Sequence, residues 1–367
     1  MKFRSVTLLA LASVVSAAKV SYNGAKAFRI PVGEDVTPLM DVIQKLDLPI
    51  WKGAPNGVPI ANSHVDLVVP AKSVKEFQKM TSSMVTEVMH EDLGAAIDAE
   101  GTAPEFSIAA ADLSWFNAYH AYADHLTFLN DLVALNSTRS EIVVAGNSNA
   151  GRPITGIHFW GASGKGVKPA IILHGTVHAR EWITTMTTEY LAYYLLQNYG
   201  SSAEIKGFVD KYDFYIFPVV NPDGLAAGDA TENQVLVAYT NKVAAAQGLQ
   251  LYIDVHSYSQ LFMTPYGYSC TAVAPNSATL NTLARGVASA IRAVYGTTYT
   301  SGPICSTIYQ ATGSAVDYVN DVTKAKYTFT IELRDTGTNG FVLPASQILP
   351  TGVETYAGFR YLLLNMV

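Results

Sequence analysis

The chain has 367 residues, 49% of them hydrophobic and 15% charged, with a mean hydropathy of +0.17, so it can bury a sizeable core. That length allows two domains, or one large domain with an appendage. A formal net charge of -6 argues against nucleic acid or an anionic membrane as partner, because neither attracts an acidic surface.

The first 18 residues, MKFRSVTLLALASVVSAA, set Lys2 and Arg4 before an apolar run from Val6 to Val15 and close on Ser16, Ala17 and Ala18. Basic start, apolar run and small residues in that order read as a secretory signal peptide. No later stretch reaches the ~20 uninterrupted apolar residues of a membrane span, so a secreted, extracellular protein is expected.

Residues 19 to about 95 form a first unit. KAFRIPV alternates as a strand does, and TPLMDVIQKLD has helical periodicity, with Thr37 predicted as N-cap and Pro38 in the first turn. LPIWK and SHVDLVVP read as strands around the turn residues GAPNG, AKSVKEFQKMTSSM as a helix and VTEVMHE as a strand. The order β-α-β-β-α-β is that of a small ferredoxin-like α+β unit. It carries His64 and His90 but no cluster of catalytic residue types, so it reads as a structural or inhibitory appendage. The small, polar stretch DLGAAIDAEGTAPEFSIAAA then suits a linker open to proteolysis.

From residue 112 to the C-terminus the pattern changes. LSWFNAYHAYADHLTFLNDLVALN gives amphipathic helical segments, and SEIVVAGNSNAGRPITGIHFWG gives a hairpin. Apolar strands KPAIILHG, YDFYIFPVV, LQLYIDVH and KYTFTIEL alternate with helices such as WITTMTTEYLAYYLL and SATLNTLARGVASAIRAVYG. The predicted class is α/β, a mixed and mostly parallel sheet covered by helices on both faces. Cys270 and Cys305 suit one disulfide in an oxidising compartment, the alternative being two buried thiols. The sequon at Asn136 marks a candidate glycan site.

Active residues of such sheets gather beyond the carboxyl ends of strands. In chain order those ends read HGTVHARE, VVNPDG, DVHSYSQ and TIELRDTG. His178, Glu181 and His256 make two histidines and one carboxylate, the donor set of a hydrolytic zinc site that keeps one position open. Glu332, at a strand end in an apolar run, is the candidate general base. The competing reading of Glu332 is a carboxylate paired with Arg334.

The run HARE, NPDG, HSYSQ, IYQATGSAVDY and ELRDTG followed by FVLPASQI resembles the secreted zinc metallocarboxypeptidases related to carboxypeptidase A, over nearly all of residues 112 to 367. The preceding unit resembles their pro-segment, so the resemblance implies a zymogen with a pro-segment at 19–111 and an activating protease. It implies one Zn2+ per chain on His178, Glu181 and His256, with Glu332 as base and proton shuttle. Arg180 matches a residue that contacts substrate carbonyls, and Ser257, Tyr258 and Phe341 match residues lining the cleft. Tyr309 matches a mobile tyrosine that closes over the bound residue. Val316 stands where relatives that cut after Lys or Arg have an acid; with Gly267, Ile304 and Ala311 it implies an apolar pocket. The implied substrates are peptide and protein C-termini ending in aromatic or large aliphatic residues, and the implied assembly is a monomer.

One departure matters. Relatives carry a long loop after NPDG, with an Arg that polarises the scissile carbonyl and an Asn-Arg pair that grips the terminal carboxylate. Here NPDGLAAGDATENQVLVAYTNKVAAAQGLQLYIDVH runs on with no Arg, so a family loop is missing after residue 224. Three functions compete: a zinc carboxypeptidase; an impaired member or peptide binder, or an incomplete gene, lacking the clamp; and a zinc amidase or deacylase. IYQ and the N-terminal unit favour peptide hydrolysis over the last.

Overall fold

The computed structural model describes residues 21–100, 113–223 and 231–367. The signal-peptide reading, the 101–111 stretch of the linker and the connection from Gly224 to Ala230 lie outside the described residues. The chain divides into two compact units, 1–95 and 96–367.

In the first unit, β1 (Lys26–Pro31), α1 (Thr37–Leu46), β2 (Ile50–Lys52), β3 (His64–Val69), α2 (Val74–Met80) and β4 (Glu87–His90) follow the predicted order; α3 (Leu93–Ala99) comes next and spans the division at 95/96. The sheet is antiparallel, in the order β2-β3-β1-β4. Alternation in β1 turns Phe28 and Ile30 inward onto Phe77. Leu39, Val42 and Ile43 of α1, spaced by three and four, close the other side of that core. Thr37 is not the N-cap. The helix begins at Thr37, whose N–H donates to Asp35 Oδ1 at 3.0 Å, so the acceptor lies one turn residue upstream of Val36.

The second unit is built on an eight-stranded sheet. Its strands are β5 (Ser140–Asn147), β6 (Pro153–Phe159), β7 (Ala170–Gly175), β8 (Asp213–Phe217), β9 (Leu249–Ser257), β10 (Leu261–Thr264), β11 (Thr300–Pro303) and β12 (Tyr327–Leu333). Its helices are α4 (Tyr122–Leu135), α5 (Trp182–Asn198), α6 (Ala203–Lys211), α7 (Thr231–Gln247), α8 (Ser277–Tyr295), α9 (Ile304–Thr307), α10 (Ala315–Tyr318) and α11 (Ile348–Asn365). The sheet order is β11-β10-β12-β9-β7-β8-β6-β5. The four central strands β12, β9, β7 and β8 are mutually parallel, and antiparallel pairings appear towards both edges. Among the described residues no helix is long and apolar enough to cross a membrane.

Both faces of the central strands are covered, which is why these strands read as continuous apolar runs. Leu173, Leu251, Ile253, Val255, Phe329 and Ile331 face a core shared with α5, α8 and α11. Ile172 and Tyr252 face the opposite core, with Leu236 and Val243 of α7 and with Val316. Parallel pairing sets His174 beside Asp254, and Glu332 beside His256, near the carboxyl ends of their strands.

Candidate metal centre

The β7-to-α5 turn begins at Thr176, a β-branched residue with φ of 54°, a conformation that needs outside support. The Thr184 hydroxyl supplies it, accepting from the Thr176 N–H at 2.7 Å, and the Thr176 hydroxyl meets those of Thr184 and Thr185 at 2.9 and 2.5 Å. This turn delivers His178. Glu181 occupies the N-cap position of α5 but makes no capping hydrogen bond. Its carboxylate is left for other partners in the favourable field of a helix start.

Those partners are two histidines. His178 Nδ1 lies 2.8 Å from Glu181 Oε1, and His256 Nδ1 lies 3.0 Å from Glu181 Oε2. One ligand atom from each residue falls within 4.8 Å of the other two. Donors at the corners of a tetrahedron around zinc, each ~2.05 Å from it, are about 3.3 Å apart, so this cluster has the right size and the right chemistry. Its electrostatics also ask for a cation. Burial lowers the pKa of His256, but Asp254 and Glu181 outweigh it and hold the ring well above the usual value. Burial opposes ionisation of Glu181, yet His256 and His178 keep it below the ordinary carboxylate value. A divalent ion held by His178, Glu181 and His256 would supply the positive charge these groups favour, without the proton.

A cavity of about 420 Å³ opens over this cluster. His178, His256, Glu332 and Tyr309 share its wall with Met263, Ile304, Ile308 and Ala311. Burial, then the nearby Glu332, push the Tyr309 phenol up, so its O–H remains a donor at neutral pH. Arg334 is committed elsewhere: its Nε donates to Glu354 at 2.8 Å, its Nη2 to Thr297 at 3.0 Å, and its Nη1 reaches Gln347.

The other predicted residues are placed as follows. Arg180 lies 4.2 Å above the Phe341 ring, which meets Tyr258 edge-on at 4.9 Å. Burial lowers the Arg180 pKa, against the charges of Glu181, Tyr258, Tyr309 and Glu332. Ser257 is buried at the end of β9. Val316 is fully buried in the core with Met263 and Ile304 and is not among the cavity-wall residues; nor is Gly267. Cys270 and Cys305 form a disulfide, Cα to Cα 5.0 Å. Asn136 caps α4, its Nδ2 donating to Leu132 O at 3.1 Å.

Sequence reasoning overlooked Asp254, His174 and Tyr252, which lie behind His256. The signal was there: Asp254 and Tyr252 precede His256 by two and four residues, and in a strand that spacing means a shared face.

Three comparisons bear on these residues. The family model described as zinc carboxypeptidase matches residues 125–234 and 225–358, and that of the carboxypeptidase activation peptide matches 33–100. Metallocarboxypeptidase A of Trichophyton rubrum is 44% identical over 414 aligned positions, covering 97% of each chain. Carboxypeptidase A1 of Homo sapiens is 31% identical, covering 92% of this chain and 93% of its own. Among solved structures, thrombin activatable fibrinolysis inhibitor superposes with a TM-score of 0.84 at 21% identity, covering 94% and 99% of the two chains. Carboxypeptidase A of Helicoverpa armigera gives 0.72 at 20%, covering 93% and 97%. These last two likenesses concern the fold.

Proposed function

The chain belongs to the zinc carboxypeptidase family, and on that premise we propose that it removes C-terminal residues from peptides at one zinc ion held by His178, Glu181 and His256. The observation that carries this reading is the single cavity wall that joins both histidines, bridged by the buried Glu181, to Glu332 and Tyr309. When bound, zinc polarises the scissile carbonyl and acidifies water. Glu332 takes a proton from the attacking water and passes it to the amine that leaves as the C–N bond breaks. The Tyr309 O–H donates to the bound residue, and Arg180 offers a cation to the peptide carbonyls. Met263, Ile304, Ile308 and Ala311 give the cavity an apolar side suited to aromatic or large aliphatic residues.

The family's activation peptide, matched over 33–100, makes the first unit a pro-segment. We take it to end within the linker before residue 112, to be cut by another protease, and to follow a signal peptide over 1–18, so that the enzyme acts as an extracellular monomer. The sequon at Asn136 is a candidate glycan site only where Nδ2 is released from Leu132.

The connection after residue 224 reads as shortened. The alignment to the Trichophyton rubrum relative has 414 positions, more than the 367 residues of this chain, so tens of that relative's residues lack a counterpart here. The family match falls into two pieces that meet within 225–234. Asn221, beside that junction, lies on the wall of the 420 Å³ cavity and of a second one of about 330 Å³. All three observations support a segment lost at this point, and with it the clamp for the terminal carboxylate.

The experiment is a zinc assay paired with turnover. Purified, processed protein should hold about one zinc per chain and release a C-terminal Phe from a blocked dipeptide. His178→Ala and His256→Ala should each lose the metal, since each removes one of three protein donors. Full zinc occupancy in both variants would remove the assignment.

A further inference from the structure

Tyr252, Asp254 and His256 occupy alternate positions of β9 and leave the sheet on one face. His174, on the neighbouring β7, is in register with Asp254. Together the four side chains form a line. Tyr252 Oη lies 2.7 Å from His174 Nε2. His174 Nδ1 lies 3.4 Å from Asp254 Oδ1, and the same oxygen lies 2.9 Å from His256 Nε2. Both rings reach Oδ1 off the straight line of a hydrogen bond, and this oxygen has no other partner. His174, Tyr252 and Asp254 are 0%, 1% and 6% exposed. The rings of His174 and His256 are the two donors that close on this oxygen.

The protons can be placed. An ionised carboxylate only accepts, so the tautomer that serves both neighbours carries the His174 proton on Nδ1, facing Asp254, and takes the Tyr252 O–H at Nε2. Asp254 then stands between two ring donors. A carboxylate behind a ligating histidine selects its tautomer and holds its ring.

We propose that Asp254, backed by His174 and Tyr252, is the positioning residue of the metal centre: it takes the Nε2–H of His256 and so leaves the Nδ1 lone pair of that ring facing Glu181 and the metal. This rests on reading His178, Glu181 and His256 as the zinc site. The arrangement uses only residues of β7 and β9 and none of the shortened connection. It is a support that this chain carries within its central sheet.

The test is the zinc dissociation constant of Asp254→Asn and Tyr252→Phe, measured by competition with a chromogenic chelator, beside the melting temperature of each zinc-free protein. Asn keeps the size of Asp but carries no charge, so the oxygen that faces both rings becomes a weaker acceptor. The expected result is zinc bound about 10–100-fold more weakly by Asp254→Asn, with zinc-free melting unchanged and a smaller loss in the same direction for Tyr252→Phe. A folded Asp254→Asn protein that binds zinc as the parent does overturns the proposal. So does a loss of affinity matched by an equal loss of zinc-free stability. If Asp254→Asn does not fold, Tyr252→Phe decides, and an unchanged constant there overturns it. A parent protein that takes up no zinc defeats the metal-site reading itself, and the positioning role with it.

Discussion

On one part of the cavity wall, His256 and Glu332 stand side by side on neighbouring parallel strands whose faces are both buried. On another part, Asn221, Glu232 and Asn233 flank a connection between β8 and α7 that is short and contains no basic residue. Bond cleavage needs its groups held within a few tenths of an ångström, and paired strands provide that. Recognition of a chain end is carried by loops, which change length without disturbing the sheet. The two halves of the enzyme's task should therefore be separable in this molecule. Among the described residues no Lys or Arg lines the cavity, while Glu232 presents a buried carboxylate oxygen without a hydrogen-bond partner in its wall.

The largest effect should come from the strand-borne half. Glu332→Gln should lower kcat by about 10²–10⁴-fold, the usual worth of a positioned acid-base group, while zinc content stays at the parental level. Turnover within tenfold of the parent would show that the base lies elsewhere and break the comparison on its stronger side.

The loop-borne half should respond to addition. A chain given the corresponding residues of the Trichophyton rubrum relative between Gly224 and Ala230 should hydrolyse a blocked dipeptide at least ~100-fold faster, since one oxyanion donor is worth that much. The parent should separate a free C-terminal carboxylate from its amide poorly, and the restored chain sharply, because a bidentate Arg reads that charge. Strict carboxylate dependence in the parent would assign the grip to a cation already present, Arg180 being the candidate.

The smallest effect concerns side-chain choice. A cationic side chain against Met263, Ile304, Ile308 and Ala311 is disfavoured by burial without a matched partner. Release of C-terminal Phe or Leu should therefore exceed that of Lys or Arg by at least about tenfold in kcat/KM. The reverse order would make the Glu232 carboxylate a specificity group and join the two halves.

The strands that carry this chemistry were legible because burial on both faces makes them long apolar runs, and each ends in a chemically distinctive motif. β10 and β11 were not predicted. Each has four residues, and β11, TSGP, carries a glycine and a proline that read as a turn; both survive by lying towards a sheet edge, where Pro is tolerated. Thr37 was misread because it is the first helical residue rather than the one before it, and the acceptor for its N–H comes from Asp35, two residues earlier. His178, Glu181, His256 and Glu332 could be picked from residue type and strand-end position. Asp254 could not be picked by type, since one Asp in a strand reads as a local charge. Its spacing from His256 puts the two on one strand face, but the register is needed to set it beside His174. Val316, a position inferred from likeness, is buried beside the cavity-lining Met263 and Ile304, a placement that linear spacing alone does not disclose.

The three residues proposed to hold the metal differ in access to solvent. The His178 side chain is 47% exposed, that of Glu181 4% and that of His256 13%. If these residues hold the ion, its traffic should have a direction, with His178 met first on arrival and the buried pair second; capture should then depend on the exposed histidine and residence time on the buried pair. Substitutions around His178 should change how quickly the protein loads, and those around His256 how long it stays loaded.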